Sequence, residues 1–377
     1  MAYKPKIFFT SNVFTDKEIG SNEKISLELR NEIKKLWLSL EKIASIKIFN
    51  GRFPLETQIK KEVEQFNPDI LACHLSHKIS AEVLKNSQIF VVATSTAGYN
   101  HIHRSEEDDI LITHTPGVLH ETVADYTVAL IMANLRNIMD LHNYVWNGYW
   151  APDDKWDLDQ SLSSKIRDKT LGIVGLGEIG KSVVSKLYPW GVNTIYYDHN
   201  QKKEFEKDYP LIEFKENLED LFRESDVVSI HVPLNTYTKN LISKNLLKLM
   251  KKDSLLINTA RGGVLDLKAL INMLENKEIQ INIAFDVFPE EPIDSKLLLR
   301  LKKLKADQPN IRMLLLPHNA SADANTRAKM NILFLNDIIK IIKSSTIEDL
   351  NDVHIIPEQK KHLKEKKWRI YNYWGKK

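Results

Sequence analysis

The chain has 377 residues, of which 43% are apolar, and its 53 basic and 50 acidic residues leave a net charge of +3. A single hydrophobic core rarely serves more than about 250–300 residues, so the length predicts two domains. The small net charge gives no field that would indicate a nucleic-acid partner. No apolar run approaches the roughly 18 residues of a membrane span and no signal peptide opens the chain, so we expect no membrane partner and a cytoplasmic location.

The first part of the chain alternates short β-rich runs with helical stretches, which is the pattern of a parallel sheet covered by helices on both faces. A charged amphipathic helix is predicted over about 21–42. The predicted strands are 6–10, 45–49, 70–73, 89–93 and 110–113. This part therefore predicts a small, complete, doubly wound domain.

The same rhythm restarts at Thr170 and predicts a second doubly wound domain. Its six predicted strands are 170–174, 194–197, 227–232, 254–258, 281–285 and 313–316. One long helix over about 121–149 is predicted to join the two domains, because its apolar residues approximate helical spacing. A helix over 326–342 has no strand after it, which indicates that the chain returns there to the first domain.

The segment 358–377 changes character, with eight Lys or Arg, two Glu and four aromatic residues. The aromatic residues are Trp368, Tyr371, Tyr373 and Trp374. Because aromatic side chains gain most by burial, we expect a strap that packs on its own domain or on a partner subunit. Contact with RNA or a membrane surface is the alternative.

A glycine motif follows the predicted strand 170–174 directly and opens a helix, which is the context of a dinucleotide-binding turn. The motif residues are Gly175, Gly177, Glu178, Ile179 and Gly180. Its first glycine would allow the tight turn, the second the approach of a pyrophosphate, and the third close packing of helix on strand. The positive helix N-terminus would receive the pyrophosphate.

Asp198 stands 18 residues after Gly180, at the end of the next strand. A carboxylate at that place accepts hydrogen bonds from both ribose hydroxyls and repels a 2′-phosphate, so the sequence favours NAD over NADP. Lys202 and Lys203 follow closely and keep NADP open as an alternative.

Seven strings in order give the chain, over about residues 5–345, a resemblance to the D-isomer-specific 2-hydroxyacid dehydrogenases. They are Thr115-Pro-Gly-Val-Leu, Val123-Ala-Asp125, the glycine motif, His231-Val-Pro-Leu234, Asn258-Thr-Ala-Arg-Gly-Gly263, Asp286-Val-Phe-Pro-Glu-Glu-Pro292 and Pro317-His318. The resemblance implies a Rossmann domain inserted into a flavodoxin-like substrate domain. The expected boundaries are 1–117 for the first part of the substrate domain, 118–322 for the NAD-binding domain, 323–346 for the return helix and 347–377 for a C-terminal extension.

The resemblance implies three catalytic residues. Arg261 would bind the substrate carboxylate, because its planar guanidinium can donate two parallel hydrogen bonds. His318 would donate a proton to the keto oxygen as hydride arrives and remove it in the reverse direction. Glu291 would bond the other imidazole nitrogen and keep the ring protonated near neutral pH.

The resemblance also implies binding residues. Further cofactor contacts are expected from Thr122, Val232, Pro233, Thr238, Thr259, Ala260 and Asp286, the last of them on the nicotinamide amide. Substrate contacts are expected from the backbone of Ala97 and Gly98 and from Leu75 and Ser76 in a first substrate loop.

The function implied is an NAD-dependent oxidoreductase that interconverts a short 2-oxo acid, such as glyoxylate or hydroxypyruvate, and its 2-hydroxy acid. A D-3-phosphoglycerate or D-lactate dehydrogenase is an alternative, because the residues at the mouth of the cleft cannot be placed from one sequence. A non-catalytic NAD-sensing scaffold, like the co-repressors of this fold, is an alternative of another class.

A homodimer is expected through about 120–156, where aromatic residues are more frequent than one domain edge normally exposes. They are Tyr144, Trp146, Tyr149, Trp150 and Trp156. No metal site is expected, because His101 and His103 have no further ligand set beside them. Cys73 is the sole cysteine, which excludes an internal disulfide and leaves a buried thiol as its expected role.

Overall fold

The computed structural model describes residues 3–103, 109–151, 159 and 161–377. The chain divides into two compact units. The split unit consists of Met1–Leu119 and Ala322–Lys377, and the inserted unit is His120–Ser321. No helix in the described ranges combines the length and the apolar character needed to cross a bilayer.

Strands and helices alternate along both units. The strands are β1 (Lys6–Phe9), β2 (Ser45–Ile48), β3 (Ile70–Cys73), β4 (Val91–Thr94), β5 (Leu111–Thr113), β6 (Thr170–Val174), β7 (Asn193–Tyr197), β8 (Ile212–Phe214), β9 (Val227–Ile230), β10 (Leu255–Asn258), β11 (Asn282–Phe285) and β12 (Met313–Leu315). The helices are α1 (Asp16–Gly20), α2 (Leu27–Ile43), α3 (Glu56–Phe66), α4 (Ala81–Leu84), α5 (His120–Leu135), α6 (Ile138–Trp146), α7 (Glu178–Leu187), α8 (Lys203–Asp208), α9 (Leu218–Glu224), α10 (Lys244–Leu247), α11 (Leu267–Glu275), α12 (Ser295–Asp307), α13 (Ala324–Lys343), α14 (Pro357–Lys360) and α15 (Ile370–Trp374). Short 3-10 segments are Asn12–Phe14, Ile166–Asp168, Tyr188–Trp190, Gly262–Val264 and Glu348–Leu350.

The split unit is built on a parallel sheet in the order β2-β1-β3-β4-β5. Successive side chains of a strand point to opposite faces, so the apolar runs feed two cores. Ile7 and Phe9 of β1 join the core that α2 and α13 cover, whereas Phe8 joins the core against α3 and α4. Both faces of the sheet are therefore buried, as a doubly wound fold requires.

The C-terminal segment belongs to the split unit and packs against the edge of its sheet. The buried Gln359 side chain accepts a hydrogen bond from Ile112 N and donates one to Ile110 O, both at 2.8 Å, beside the edge strand β5. Trp368 and Tyr373 are 2% exposed and lie in the core that contains β1. The basic, aromatic segment thus packs as a strap on its own unit.

The inserted unit is built on a parallel sheet in the order β12-β11-β10-β9-β6-β7-β8. Buried residues form one apolar core on each face of this sheet. The order reverses at β6, which is the arrangement of a Rossmann domain. The predicted fold class, two doubly wound parallel-sheet domains with the larger inserted into the smaller, is confirmed.

Two details of the prediction were wrong. The inserted unit has a seventh strand, because the three residues of β8 pair with β7 at the edge of the sheet. The single helix predicted over 121–149 is two helices, because Asn137 adopts a left-handed backbone conformation with φ +52° between α5 and α6. Apolar spacing continues across that break, so it gave no sign of the interruption.

Candidate active site

Glu291 and His318 are in direct contact, although 27 residues separate them. The Nδ1 atom of His318 lies 2.6 Å from Oε2 of Glu291. The other carboxylate oxygen, Oε1, accepts a hydrogen bond from Phe288 N at 3.0 Å. The turn around Phe288 therefore fixes the Glu291 carboxylate, which in turn orients the imidazole of His318. Within the described part of the chain, no residue forms a hydrogen bond with the second ring nitrogen, Nε2, of His318.

The charge state of Glu291 follows from its neighbours. Partial burial alone would raise the pKa of this carboxyl, but the hydrogen bond and the charge of His318 outweigh burial, so the pKa lies below its ordinary value. The positive charge of Arg261 lowers it further. Glu291 is consequently an anion at neutral pH, which is the state that orients an imidazole through charge.

His318 sits in a strained turn that Asp286 holds. Its φ is +54°, a left-handed conformation that costs a non-glycine residue roughly 1–3 kcal/mol. The backbone N–H of His318 donates to Asp286 O at 2.7 Å. Asn319 N and Ala320 N donate to the two carboxylate oxygens of Asp286, both at 2.8 Å. These three bonds fix the direction in which the imidazole leaves the backbone.

Asp286 is fully buried, and burial raises the pKa of its carboxyl although the two backbone donors oppose that rise. Both of its oxygens already accept backbone hydrogen bonds. Its position in the structure is thus that of an anchor for the His318 turn, a role that the sequence analysis did not assign. Contact of Asp286 with the nicotinamide amide stays a prediction.

Arg261 is held in a loop that Asn258 shapes. The side chain of Asn258 accepts a hydrogen bond from Ala260 N and donates one to Arg261 O, both at 3.0 Å. Nη1 of Arg261 donates to Ala260 O at 2.6 Å, which leaves further guanidinium N–H groups for a ligand. Burial lowers the pKa of Arg261, and the charge of Glu291 opposes that effect.

Gly262 allows the Arg261 loop to pack against the turn that carries Glu291. A Cβ atom at Gly262 would lie 1.9 Å from the carbonyl carbon of Phe288 and 2.3 Å from Pro289 N, so no side chain fits. Sequence reasoning quoted this glycine within a motif but gave it no role. The signal was present, because a glycine directly after a candidate catalytic arginine suggests close backbone approach.

The sheet explains why Arg261, Glu291 and His318 lie at one edge. Strands β10, β11 and β12 are parallel neighbours, so their carboxyl ends lie at one edge of the inserted unit. Arg261 follows β10, Glu291 follows β11 and His318 follows β12, each within a few residues. Ligands of open α/β sheets bind at this edge.

The glycine motif has the shape of a dinucleotide cradle. Gly175 has φ +96°, and a Cβ there would meet Val232 Cγ1 at 2.7 Å. At Gly180 a Cβ would lie 2.3 Å from Gly175 O, so the helix can pack on the strand only without a side chain. Gly177 is different, because a Cβ there would meet nothing within 4 Å. The N-terminus of α7, which begins at Glu178 and continues through Ile179, therefore faces open space that suits a pyrophosphate.

Asp198 is tied to this cradle. One carboxylate oxygen accepts a hydrogen bond from Leu176 N at 2.9 Å, and the other lies 3.2 Å from Lys202 Nζ. The first contact fixes the carboxylate beside the glycine loop. The second contact places the Lys202 ammonium group next to the carboxylate. The two side chains expected to influence the choice between NAD and NADP are therefore adjacent.

Comparisons with known proteins identify the family of the chain. The model of the D-isomer specific 2-hydroxyacid dehydrogenase NAD binding domain matches residues 128–320. The glyoxylate reductase of Aeropyrum pernix is 32% identical over 359 residues, which cover 94% of this chain and 97% of that protein. That of Thermofilum pendens is 38% identical over 278 residues, covering 73% and 78% respectively. The chain belongs to the D-isomer specific 2-hydroxyacid dehydrogenase family.

The fold of this family member is also found in solved structures. A glyoxylate reductase from Paecilomyes thermophila has a TM-score of 0.72 and 22% identity, and the match covers 94% of this chain and 99% of that one. The family match and the curated relatives indicate that the chain is a hydroxyacid oxidoreductase with an NAD-binding domain.

The remaining cofactor residues assigned to this dehydrogenase lie in the inserted unit. Thr238 and Thr259 are buried and use their hydroxyls internally, the first donating to Pro233 O at 2.5 Å and the second lying 3.0 Å from Thr127 Oγ1. Both therefore shape the loops after β9 and β10. Thr122 lies in the first turn of α5. Contacts of these residues and of Val232 and Ala260 with a dinucleotide stay predictions.

The substrate residues assigned to the dehydrogenase lie in the split unit, after two neighbouring strands. Leu75 and Ser76 follow β3, and Ala97 and Gly98 follow β4. His114 Nδ1 lies 2.8 Å from Ala97 O, and Thr96 Oγ1 donates to Gly98 O at 2.7 Å. Those two contacts hold the carbonyl groups of the loop. Sequence reasoning missed them because they join residues without a motif.

His101, one of the two histidines considered for metal binding, has other partners. His101 Nε2 lies 3.0 Å from Thr94 Oγ1 and 3.7 Å from Cys73 Sγ. Cys73 is buried, and burial raises the pKa of its thiol to about 12. No cluster of three His, Cys, Asp or Glu side chains in the described ranges is arranged to hold a metal ion.

Proposed function

We propose that the chain is an NAD-dependent reductase of short 2-oxo acids such as glyoxylate or hydroxypyruvate, acting in reverse as a D-2-hydroxyacid dehydrogenase. The 2.6 Å contact between His318 and Glu291, at the sheet edge that also carries Arg261, is the observation that supports it most directly. A proton donor held by a carboxylate, next to a guanidinium, is what carbonyl reduction of a 2-oxo acid requires.

The glycine loop and Asp198 would hold a nicotinamide dinucleotide, which would supply or accept the hydride. Arg261 orients the substrate by binding its carboxylate with two of its remaining guanidinium N–H groups. His318 delivers a proton from Nε2 to the carbonyl oxygen, because Nδ1 is engaged with Glu291. Glu291 stabilises the positive charge on the ring before transfer and keeps the ring in one orientation afterwards.

The glycine loop and Asp198 support NAD as the preferred nucleotide, because a carboxylate repels a 2′-phosphate. Lys202 offsets part of that charge at 3.2 Å. We expect a higher kcat/KM with NADH than with NADPH, and we expect Asp198→Asn to reduce this preference by about 10-fold or more, since loss of one charge is worth roughly 1.4 kcal/mol or more here. Lys202→Gln is the matched control and should increase the preference. A wild-type enzyme that prefers NADPH would contradict the proposal.

The activity is tested by NADH consumption with glyoxylate, hydroxypyruvate, pyruvate and 3-phosphohydroxypyruvate. The proposal expects one of the first two to have the highest kcat/KM. A preference for pyruvate would indicate a D-lactate dehydrogenase, and a preference for the phosphorylated acid a D-3-phosphoglycerate dehydrogenase. Calorimetric binding of NADH with no turnover of any acid would favour an NAD-sensing scaffold.

The surface of α6 supports a homodimer through the inserted unit. Trp146 is 79% exposed, and Val145, Tyr149 and Trp150 are at least half exposed along the same short stretch. Such a patch gains from burial against a second copy of itself. Trp156, which was assigned to the same surface, lies outside the described residues. Light scattering should give the mass of two chains, and Trp146→Glu should give that of one.

A further inference from the structure

The split unit contains a cavity of its own, with a volume of about 400 Å³. Its walls include Phe14 after β1, His74 after β3 and Ser95 after β4, together with Arg327 and Asn331 of α13. Every lining residue belongs to the split unit. Small-molecule sites usually have volumes of about 300–1,000 Å³, so the cavity has room for a ligand.

The position of the cavity in the sheet also indicates a ligand. Strand β1 lies between β2 and β3, so successive connections turn in opposite directions at the β1/β3 boundary. Open α/β sheets bind ligands at the carboxyl ends of the strands that flank such a reversal. The cavity lies there, between the segments that follow β1 and β3.

Arg327 brings an unbalanced positive charge to the cavity. Its side chain is partly buried, and among the described residues it makes no side-chain hydrogen bond and has no carboxylate within 4 Å. The two carboxylates of the cavity wall are engaged elsewhere. Glu18 pairs with Arg52 at 2.8 Å, and Asp323 accepts a hydrogen bond from Thr326 N at 2.7 Å as the N-cap of α13. A partly buried guanidinium without a counter-ion is costly unless a ligand supplies one.

Asn331 adds a hydrogen-bond acceptor one helical turn from Arg327. Residues four apart lie on the same face of a helix. Asn331 is 4% exposed and donates through Nδ2 to Phe14 O at 3.2 Å, which leaves its Oδ1 buried without a partner in the described structure. Arg327 can donate hydrogen bonds to an anionic group, and Oδ1 of Asn331 can accept one from an O–H elsewhere on the same ligand.

We propose that this cavity is the subsite for the distal anionic group of a 2-oxo acid longer than glyoxylate, with Arg327 as the residue that selects for it. The inference rests on the proposed function, because it assumes a 2-oxo acid as substrate. Ser95 stands two residues before Ala97 and three before Gly98, the predicted carboxylate loop, and His74 directly precedes Leu75. One substrate can therefore contact the loop with its first carboxylate and Arg327 with its second charge, which is a carboxylate or a phosphate.

Steady-state kinetics test the subsite. The substrates are glyoxylate, oxaloacetate and 3-phosphohydroxypyruvate, and the variants are Arg327→Met and, as control, Lys329→Met on the exposed face of the same helix. Arg327→Met should raise KM for the two longer acids about 10- to 100-fold, the range for a hydrogen bond to a charged group, and should change KM for glyoxylate less than about 2-fold. Arg327→Lys should recover part of the loss, and Lys329→Met should change nothing.

Several results would overturn the subsite. An equal rise in KM for all three acids would place Arg327 in general binding or in folding, and an unchanged KM would remove it from recognition. A wild-type enzyme that reduces neither of the two longer acids would also overturn it. Between these two acids, the one with the larger Arg327 effect identifies carboxylate or phosphate as the group that the subsite prefers.

Calorimetry separates this inference from the proposed activity. The full chain, without nucleotide, is titrated with malonate, with 3-phospho-D-glycerate and with acetate as a monoanionic control. We expect tighter binding of a dianion than of acetate, and a loss of 10- to 100-fold in Arg327→Met. If that loss occurs while no 2-oxo acid is reduced, the proposed activity is wrong, and Arg327 is a residue that binds dianions without being part of a substrate site. If glyoxylate is reduced but Arg327→Met binds the dianions as tightly as the wild type does, the subsite alone is wrong.

Discussion

Gly262→Ala should disable the enzyme without touching a catalytic side chain. The added Cβ would lie 1.9 Å from Phe288 C, which is 1.5 Å less than the 3.4 Å at which ordinary van der Waals contact begins. Its neighbours there are backbone atoms of Phe288 and Pro289, which cannot rotate away. Either the Arg261 loop or the turn that holds Glu291 must therefore move by about 1.5 Å.

A displacement of about 1 Å at a catalytic group can cost about 10²-fold, so kcat/KM should fall at least that far. Overpacking of this kind also destabilises by roughly 1–3 kcal/mol, which lowers Tm by about 2–4 °C for each kcal/mol. Gly263→Ala is the matched control, because its Cβ would meet only the flexible end of Leu234, at 3.0 Å. The assay is NADH consumption at saturating nucleotide, with thermal unfolding beside it.

The comparison is decisive in both directions. Wild-type kcat/KM in Gly262→Ala would refute the argument that the two loops must touch to position Arg261 and Glu291. An equal loss in Gly263→Ala would show that the whole segment, and not the one contact, determines the rate.

Three further predictions concern single side chains. His318→Ala should lower kcat by about 10²–10⁴ with nearly intact NADH binding, and unchanged turnover would exclude it as the proton donor. Arg261→Lys should raise substrate KM about 10-fold or more, because a point charge cannot replace the planar fork, and wild-type kinetics would contradict this. Burial lowers the pKa of His231 to about 3, so below pH 6.5 the unfolded chain binds a proton that the native chain excludes, and the free energy of unfolding decreases as the pH is lowered. When the pH is lowered from 7.5 to 5.5, the free energy of urea unfolding of His231→Asn should decrease by about 1 kcal/mol less than that of the wild type. Equal decreases in the two proteins would contradict this role of His231.

Sequence patterns predicted the features that recur along the chain and missed those that depend on a single contact or one residue's backbone conformation. The long apolar strands and the glycine motif could be predicted because their residues are close together in the sequence. β8 was missed because three residues at a sheet edge carry no period of their own. The break at Asn137 was missed because the spacing of apolar residues does not indicate a left-handed backbone conformation.

The candidate site divides in the same way. Motifs identified Arg261, Glu291 and His318 as residues, and the structure shows Glu291 and His318 in contact. The hydrogen bonds from the backbone of Asn319 and Ala320 to Asp286 join residues more than 30 positions apart. They depend on how β11 and β12 pair. No sequence motif encodes such a contact, and none marked Arg327, whose interest comes only from the cavity it faces.

The division of the split unit into two chain segments sets an order for biosynthesis. Its sheet forms from the first 119 residues, but the core on one face needs Phe334 and Leu335 of α13 and then Trp368 and Tyr373. All of those leave the ribosome after the inserted unit has been made. The inserted unit can therefore fold while translation continues, whereas the N-terminal sheet must wait with one apolar face uncovered. That interval is when a nascent chain most needs a chaperone.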